Sequence, residues 1–319
     1  MEVTVSVLRH NPDEKINPSY WQDYKLDMDD SASVLDSLIR IREEIDGSLA
    51  FRCSCRSAIC GSCAMRINGH AKLACNTKIA AVTKDGGRVK VEPLGVMSVV
   101  KDLVVDQSLF WDKVRDVSPW LQTQGEEPDA EYLAPNSAMT HLAGVMACIM
   151  CGACVSDCTV LELDKNFTGP AALAKAYRFA ADPRDSNNSS RLAELSEYGG
   201  VWDCTRCYEC VEVCPKGVAP MDRIMALREA AMEEGNDNSY GARHTDAFEE
   251  SVAHSGWLNE LTLPIKTFGI FNLPAQMNMA PVAIRALLRG KIPPIFHRSV
   301  PGVKKVRQIV KSVRTEQNK

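Results

Sequence analysis

The residues best equipped for chemistry in this 319-residue chain are its thirteen cysteines, which are gathered in three short regions. Two of those regions are near-copies of each other. CIMCGACVSDC runs from Cys148 to Cys158 and CTRCYECVEVCP from Cys204 to Pro215, and each places its cysteines at intervals of x2, x2 and x3. Every cysteine of the second copy lies 56 positions after its counterpart. Thiolates at this spacing suit the corners of an iron–sulfur cubane, and in chains with two such runs the fourth cysteine of each ligates the other cluster. Cys148, Cys151, Cys154 and Cys214 are therefore expected to hold one [4Fe–4S] cluster. Cys204, Cys207, Cys210 and Cys158 are expected to hold a second.

The third region reads Cys55-x4-Cys60-x2-Cys63, with Cys75 further on. That is the plant-type [2Fe–2S] spacing. An anionic Fe2S2 core needs four thiolates from a loop that wraps it and turns N–H groups toward its sulfurs. Ser57, Ala58, Gly61 and Ser62 are small enough to let such a loop close. Cys53 falls outside the spacing and reads as a free thiol. Zinc is the competing ligand for all three groups. It is disfavoured because zinc sites pair two cysteines with a distant second pair or with histidine, and the six histidines here are scattered.

The remaining composition narrows the class. An odd cysteine count, tight clustering and no secretory apolar stretch argue for metal ligation in a reducing compartment over a disulfide framework. No G-x-G-x-x-G, no P-loop and no nucleophile–base arrangement is evident. Two-electron organic chemistry must then sit on a partner, with this chain carrying single electrons. The longest uncharged run, 267–284, contains Pro274, Pro281, Asn272, Gln276 and Asn278 and makes a poor membrane span. Residues 285–319 hold ten Lys/Arg against the single acid Glu316. Such a tail is a solvated surface or a docking element for an acidic partner or an anionic membrane surface.

The elements that must position the cysteines follow from periodicity. Val3–Leu8 and Tyr20–Met28 alternate like paired strands, and Ser31–Ile45 has helical spacing with Ser31 or Ser33 as cap. A loop over Phe51–Cys63 leads to a strand at Ala64–Ile67, closed by the turn signal Asn68-Gly69, and Arg88–Glu92 is a further strand. Val99–Leu121 is expected to be helical and Gly125–Asn136 an exposed connection. Ala138–Ala147, Pro170–Ala181, Ser190–Tyr198 and Met221–Glu234 all suit helices. The fold class is α+β: a plant-type [2Fe–2S] ferredoxin (β-grasp) domain over residues 1–100, then a connecting helix and linker over 101–136. A mostly helical bacterial two-cluster ferredoxin domain over 137–235 follows, with a basic C-terminal extension over 236–319 suited to partner docking.

This order of domains resembles the iron–sulfur subunit of succinate dehydrogenase and fumarate reductase. The likeness covers roughly residues 1–230 and is carried by FRCSCRSAICGSCAMRING, KLAC, VVKDLVVDQSLFWDKV, CIMCGACVSDC, GPAALAKAYRFAADPRD and VCPKGVAPMD. It implies a flavoprotein subunit with covalent FAD, where succinate and fumarate interconvert, and a quinone-reactive membrane partner. The chain departs from the family at a few positions. Most members have an aliphatic residue at Cys207 and a [3Fe–4S] third cluster. Here the run is complete, which favours [4Fe–4S] with Cys207 as fourth ligand, [3Fe–4S] being the alternative. Thr159, Leu163 and Thr205 stand where proline, tryptophan and often histidine are usual, so the usual residues of the familiar quinone pocket are not the ones present. With the basic C-terminus, this resembles the non-standard subclass whose third subunit is cysteine-rich and related to heterodisulfide reductase. The tail is expected to dock that subunit, and the chain to be a peripheral protein at the cytoplasmic face of the inner membrane, contacting no nucleic acid. Rival readings are a relay in another flavoprotein complex, thiol-linked or glycolate-oxidase-like, and a non-enzymatic iron–sulfur protein.

Overall fold

The computed structural model describes residues 1–16, 18–269, 271–291, 293–294 and 298–317. Residues 292, 295–297, 318 and 319 of the basic tail lie outside the described residues. The chain divides into two compact units, Met1–Ala230 and Ala231–Lys319.

The first unit begins with a five-stranded sheet. Its strands are β1 (Glu2–His10), β2 (Ser19–Asp27), β3 (Ala64–Ile67), β4 (His70–Leu73) and β5 (Gly87–Glu92), in the order β2-β1-β5-β3-β4. Only the β1–β5 pair is parallel. Val3, Val5 and Val7 of β1, Ile67 of β3 and Val89 and Val91 of β5 are buried. A helix over Val34–Arg40 supplies buried Val34, Leu35 and Leu38 and starts from a capping box in which Ser33 and Asp36 satisfy each other's backbone amides. The expected helix over Ser31–Ile45 is therefore shorter, and its last turn, Ile41–Ile45, is π-wound.

Val99–Leu121 departs further from expectation. It opens with a tight hairpin of β6 (Val99–Lys101) and β7 (Val104–Val105), and the helix begins only at Ser108 and ends at Asp116. Two causes act together. Four β-branched valines favour extended backbone, and Asp102 is held in a left-handed conformation (φ 47°) by long-range contacts. Its carboxylate accepts from Arg9 Nε at 2.8 Å, from the amide of His10 at 3.1 Å and from the amide of Ala50 at 2.8 Å. The buried Arg9 also reaches Asp46, Tyr24, Gln22 and Ser48. This network fixes the point at which the chain leaves Ala50 for the first cysteine loop. Arg9 is raised above its usual pKa; burial opposes the shift, and the hydrogen bonds to Asp102 and Asp46 outweigh it.

Residues 125–135 form an almost entirely exposed connection without regular structure. The helices that follow frame the paired cysteine runs. The stretch 138–147 is two short pieces, Asn136–Thr140 and Ala143–Met146, and longer helices occupy Pro170–Ala180, Asn188–Leu195 and Pro220–Glu233. Pro170 stands at the first turn, where its missing N–H costs nothing. Buried Ala171, Ala172, Leu173, Ala174 and Ala176 form its inner face.

The second unit contains helices over Tyr240–Ser255, Thr262–Phe268, Leu273–Leu288 and Val303–Gln317. The first is capped by Ser239 and stopped by Gly256 in the left-handed region. Arg243 donates to the Thr267 carbonyl at 2.9 Å and Arg307 to the Ala253 carbonyl at 3.2 Å, binding the second and last helices to it. The helix Leu273–Leu288 buries no residue. Among the described residues, no helix is long and apolar enough to cross a membrane.

Candidate iron–sulfur centres

The first cysteine loop is built on left-handed backbone. Arg56, Ala58 and Gly61 have φ of 56°, 55° and 72°. Alternation of this kind turns successive N–H groups toward one concave side, a cradle for anionic sulfur. The amides of Ser57, Ile59 and Cys60 point at Cys55 Sγ at 3.4, 3.4 and 3.2 Å, and that of Ala58 points at Cys75 Sγ at 3.4 Å. Cys60 lies 3.1 Å from Ser62 Oγ, and this hydroxyl is the main cause of a pKa lowered to about 6. Cys63 is buried, which pushes its thiol up to about 12. The loop thus offers one exposed thiol that ionises readily and one that needs a metal cation to lose its proton. Amide donors facing the sulfurs are what an Fe2S2 core requires, so Cys55, Cys60, Cys63 and Cys75 fit that group.

The paired runs repeat in backbone as well as sequence. Met150 and Gly152 are left-handed (φ 56° and 80°), and so are Arg206 and Tyr208, their counterparts 56 positions later (φ 58° and 71°). A four-residue helix follows in each case, Ala153–Ser156 and Glu209–Glu212. A non-glycine residue in this region costs about 1–2 kcal/mol, yet Tyr208 adopts it to keep the cradle.

Two cavities result. One brings together Cys148, Cys151, Cys154 and Cys214. The other brings together Cys158, Cys204, Cys207 and Cys210. In each, three cysteines come from one run and the fourth from the other, as cluster ligation in paired runs demands. Four thiols around one space, with apolar Phe110, Ala171 and Val218 or Phe167, Met221 and Ile224 behind them, suit a cubane at both places. Burial raises Cys151 to about 11 and Cys210 to about 12, and Cys154 well above its usual value. Cys53 lines neither cavity.

The three sites are consecutive. Gly61 lies so close to the first run that an added Cβ would come within 2.8 Å of Cys151 Cβ, which only glycine avoids. Asp157 accepts from the Ala71 amide at 2.8 Å and Ser156 from the Gly95 amide at 2.9 Å, fastening the sheet to the first run. The short helix Ala153–Ser156, which carries Cys154, packs against Glu209–Glu212, which carries Cys210, so the two cavities adjoin.

Sequence reasoning missed several supports. Ser156 and Asp157 sit between cysteines with nothing to mark them. Arg228 is buried and donates to the carbonyls of Val201, Trp202 and Cys204 at 2.8, 3.2 and 2.7 Å. Burial lowers its pKa to about 10, and its guanidinium lies 5.3 Å from the Trp202 ring. A lone arginine in a helical stretch carries no signal of this role.

A family described as a 2Fe-2S iron-sulfur cluster binding domain matches residues 4–112, and one described as a 4Fe-4S dicluster domain matches residues 144–218. The fumarate reductase iron-sulfur subunit of Mycobacterium tuberculosis (strain CDC 1551 / Oshkosh) is 39% identical over 231 residues, covering 72% of this chain and 92% of the relative. The 8-methylmenaquinol:fumarate reductase iron-sulfur subunit of Wolinella succinogenes is 33% identical over 285 residues, 87% of this chain and 88% of that one. A mitochondrial succinate dehydrogenase [ubiquinone] iron-sulfur subunit of Oryza sativa subsp. japonica is 36% identical over 72% of this chain and 82% of its own. Among solved structures, the Mycobacterium smegmatis Sdh1 complex in the apo form contains a chain that superimposes with a TM-score of 0.67 at 26% identity, covering 74% of this chain and 98% of that one. With its α+β order of a [2Fe–2S] domain and a helical [4Fe–4S] domain, the chain belongs to the iron–sulfur subunits of succinate dehydrogenase and fumarate reductase, the electron-transfer components of these oxidoreductases.

Proposed function

We propose that this chain relays electrons between the FAD of a flavoprotein subunit, where succinate and fumarate interconvert, and a quinone. Cys55, Cys60, Cys63 and Cys75 hold [2Fe–2S]; Cys148, Cys151, Cys154 and Cys214 hold [4Fe–4S]; Cys158, Cys204, Cys207 and Cys210 hold a second [4Fe–4S]. Bound clusters supply one-electron chemistry, and the chain's residues supply the thiolates, the amide donors and the apolar walls. The observation that carries this reading is the contiguity of the sites: Gly61 against Cys151, then the helix of Cys154 against the helix of Cys210. The loop rim Arg56, Ser57, Ile59 and Cys60 is exposed and suits the flavoprotein side. Thr205, Arg206, Cys207 and Tyr208 are exposed at the other end and suit the acceptor side.

The acceptor subunit in this reading is membrane-associated, cysteine-rich and related to heterodisulfide reductase, and it holds the chain peripherally at the cytoplasmic face. Two features support docking through the C-terminal unit. The helix Leu273–Leu288 exposes Leu273, Met277, Ile284, Leu287 and Leu288 along one stripe, and basic residues crowd the sequence after it. The alignment with the Wolinella protein spans more residues than the first unit contains, so it extends into this second unit.

Anaerobic titration of the purified complex with succinate tests the relay. All three centres are expected to become reducible by succinate in the presence of the flavoprotein. A chain whose [2Fe–2S] centre is reduced while the paired-run centres stay oxidised at equilibrium, at potentials where they accept electrons from dithionite, contradicts it.

A further inference from the structure

The internal repeat stops being a repeat immediately after the fourth cysteine. Cys214 is followed by Pro215 and Cys158 by Thr159, again 56 positions apart. Pro215 lines the first cavity with a ring that has neither hydroxyl nor amide hydrogen to donate. Thr159 does the opposite at the edge of the second, beside Cys207. Its Oγ1 donates to Cys207 Sγ at 3.6 Å. The neighbouring amides of Val160 and Leu161 bond to Cys158, so one short segment, residues 158–161, offers donors to two of the four thiols in that cavity. Around Cys151, the counterpart of Cys207, the donors are backbone amides, chiefly that of Ala153, and burial dominates.

The difference matters because adding an electron to an anionic cluster makes its sulfurs more negative. A donor aimed at a ligand sulfur stabilises the reduced form more than the oxidised one, and hydrogen bonds to sulfur are among the levers that set cluster potential. We propose that Thr159 is a positioning residue of the terminal cluster: its hydroxyl holds the Cys207 thiolate in place as a ligand and raises the reduction potential of that cluster above the value it would have with the proline found in the first copy. The step from the inner to the terminal cluster, in the direction of the exposed end, is then more favourable by that amount. This rests on Cys207 being the fourth ligand there. Thr159 and Cys207 are both exposed, so water competes for the same sulfur and the effect is bounded: about tenfold in the one-electron reduction equilibrium, equivalent to ~59 mV.

The test uses the intact complex, purified anaerobically, with Thr159→Val, Thr159→Ala and Thr159→Ser, read by iron content and by redox titration followed by electron paramagnetic resonance. Thr159→Val and Thr159→Ala are expected to lower the terminal potential by about tenfold in equilibrium and leave the other two centres unchanged, while Thr159→Ser restores it. If the hydroxyl is needed to retain the ligand, Val and Ala instead lose one iron and Ser keeps it, which also supports the proposal. Unchanged potential with full iron in Val and Ala overturns it, as does loss of the cluster in all three variants. Failure of the underlying ligand assignment looks different: the unsubstituted complex itself then shows a three-iron signal in its oxidised state.

Discussion

The two cysteine runs share a cradle and differ in what surrounds it. Both alternate left-handed residues at equivalent positions and both continue into a four-residue helix. Yet no residue from Cys148 to Cys158 is exposed, whereas Thr205 to Tyr208 is an exposed stretch of four. The first run is enclosed by Gly61 and Phe110 and tied to the sheet by Ser156 and Asp157. The second is held from behind by Arg228 and is open in front. Backbone repetition therefore gives the two runs the same cradle, and packing makes one enclosed and the other open.

The largest effect should come from matched substitutions at counterpart ligands. Cys151→Val removes a thiolate from a site shielded from water, where no solvent ligand replaces it. Electron transfer from succinate to quinone is expected to fall by at least ~100-fold, about 3 kcal/mol of barrier. Cys207→Val is expected to leave a three-iron terminal cluster and measurable turnover. Equal losses at the two positions would show that the runs are equally enclosed.

Arg228→Met sharpens the contrast from the other side. It strands the carbonyls of Val201, Trp202 and Cys204 in a buried region, at a cost of about 3 kcal/mol. The thermal midpoint should drop, and iron should be lost from the terminal site before the inner one. Retention of the terminal cluster at the wild-type midpoint would remove Arg228 from the scaffold.

How much of this was legible in the sequence follows from what determines each feature. The cysteine intervals point to cluster ligation directly, because ligand spacing follows cluster geometry, and the two cavities gather the four-cysteine sets that the spacing groups together. β1, β2 and β5 follow from alternation, since buried residues recur at every second position along each, whereas β4 was not anticipated. Val99–Leu121 was misleading because Asp102 takes its conformation from Arg9, more than ninety residues away in sequence, and helical periodicity contains no trace of that partner. Arg228, Ser156 and Asp157 were silent for the same reason: each acts through a contact that only folding creates. Gly61 was legible as a small residue and illegible as the contact with Cys151.

Removing iron should expose the buried thiols' effect on stability. Burial pushes Cys63 and Cys210 to about 12, whereas thiols in the unfolded chain ionise near ~8.5. The iron-free fold keeps this stability below ~8.5 and loses it as pH rises toward the folded values, because the unfolded chain sheds protons first. Chemical denaturation of the iron-stripped chain at pH 8 and pH 10 checks the sign, and greater stability at pH 10 would contradict it.

The smallest effect lies in the cradle itself. Tyr208→Gly relieves a left-handed tyrosine, and after the added freedom of the unfolded chain is counted the net gain is about 0.5 kcal/mol. Gly152→Ala runs the comparison in reverse and should cost about 1 kcal/mol. Denaturation midpoints of the pair should move in opposite directions, and movement together would mean that the two cradles are not equivalent.

The completeness of the second run is tested most directly by the iron content of the anaerobically purified complex, read together with the paramagnetic resonance of its oxidised state. About ten irons per chain, divided two, four and four, with no three-iron signal on oxidation, is the expected result. About nine irons with a three-iron signal in the oxidised complex would place Cys207 beside the terminal cluster and not on it.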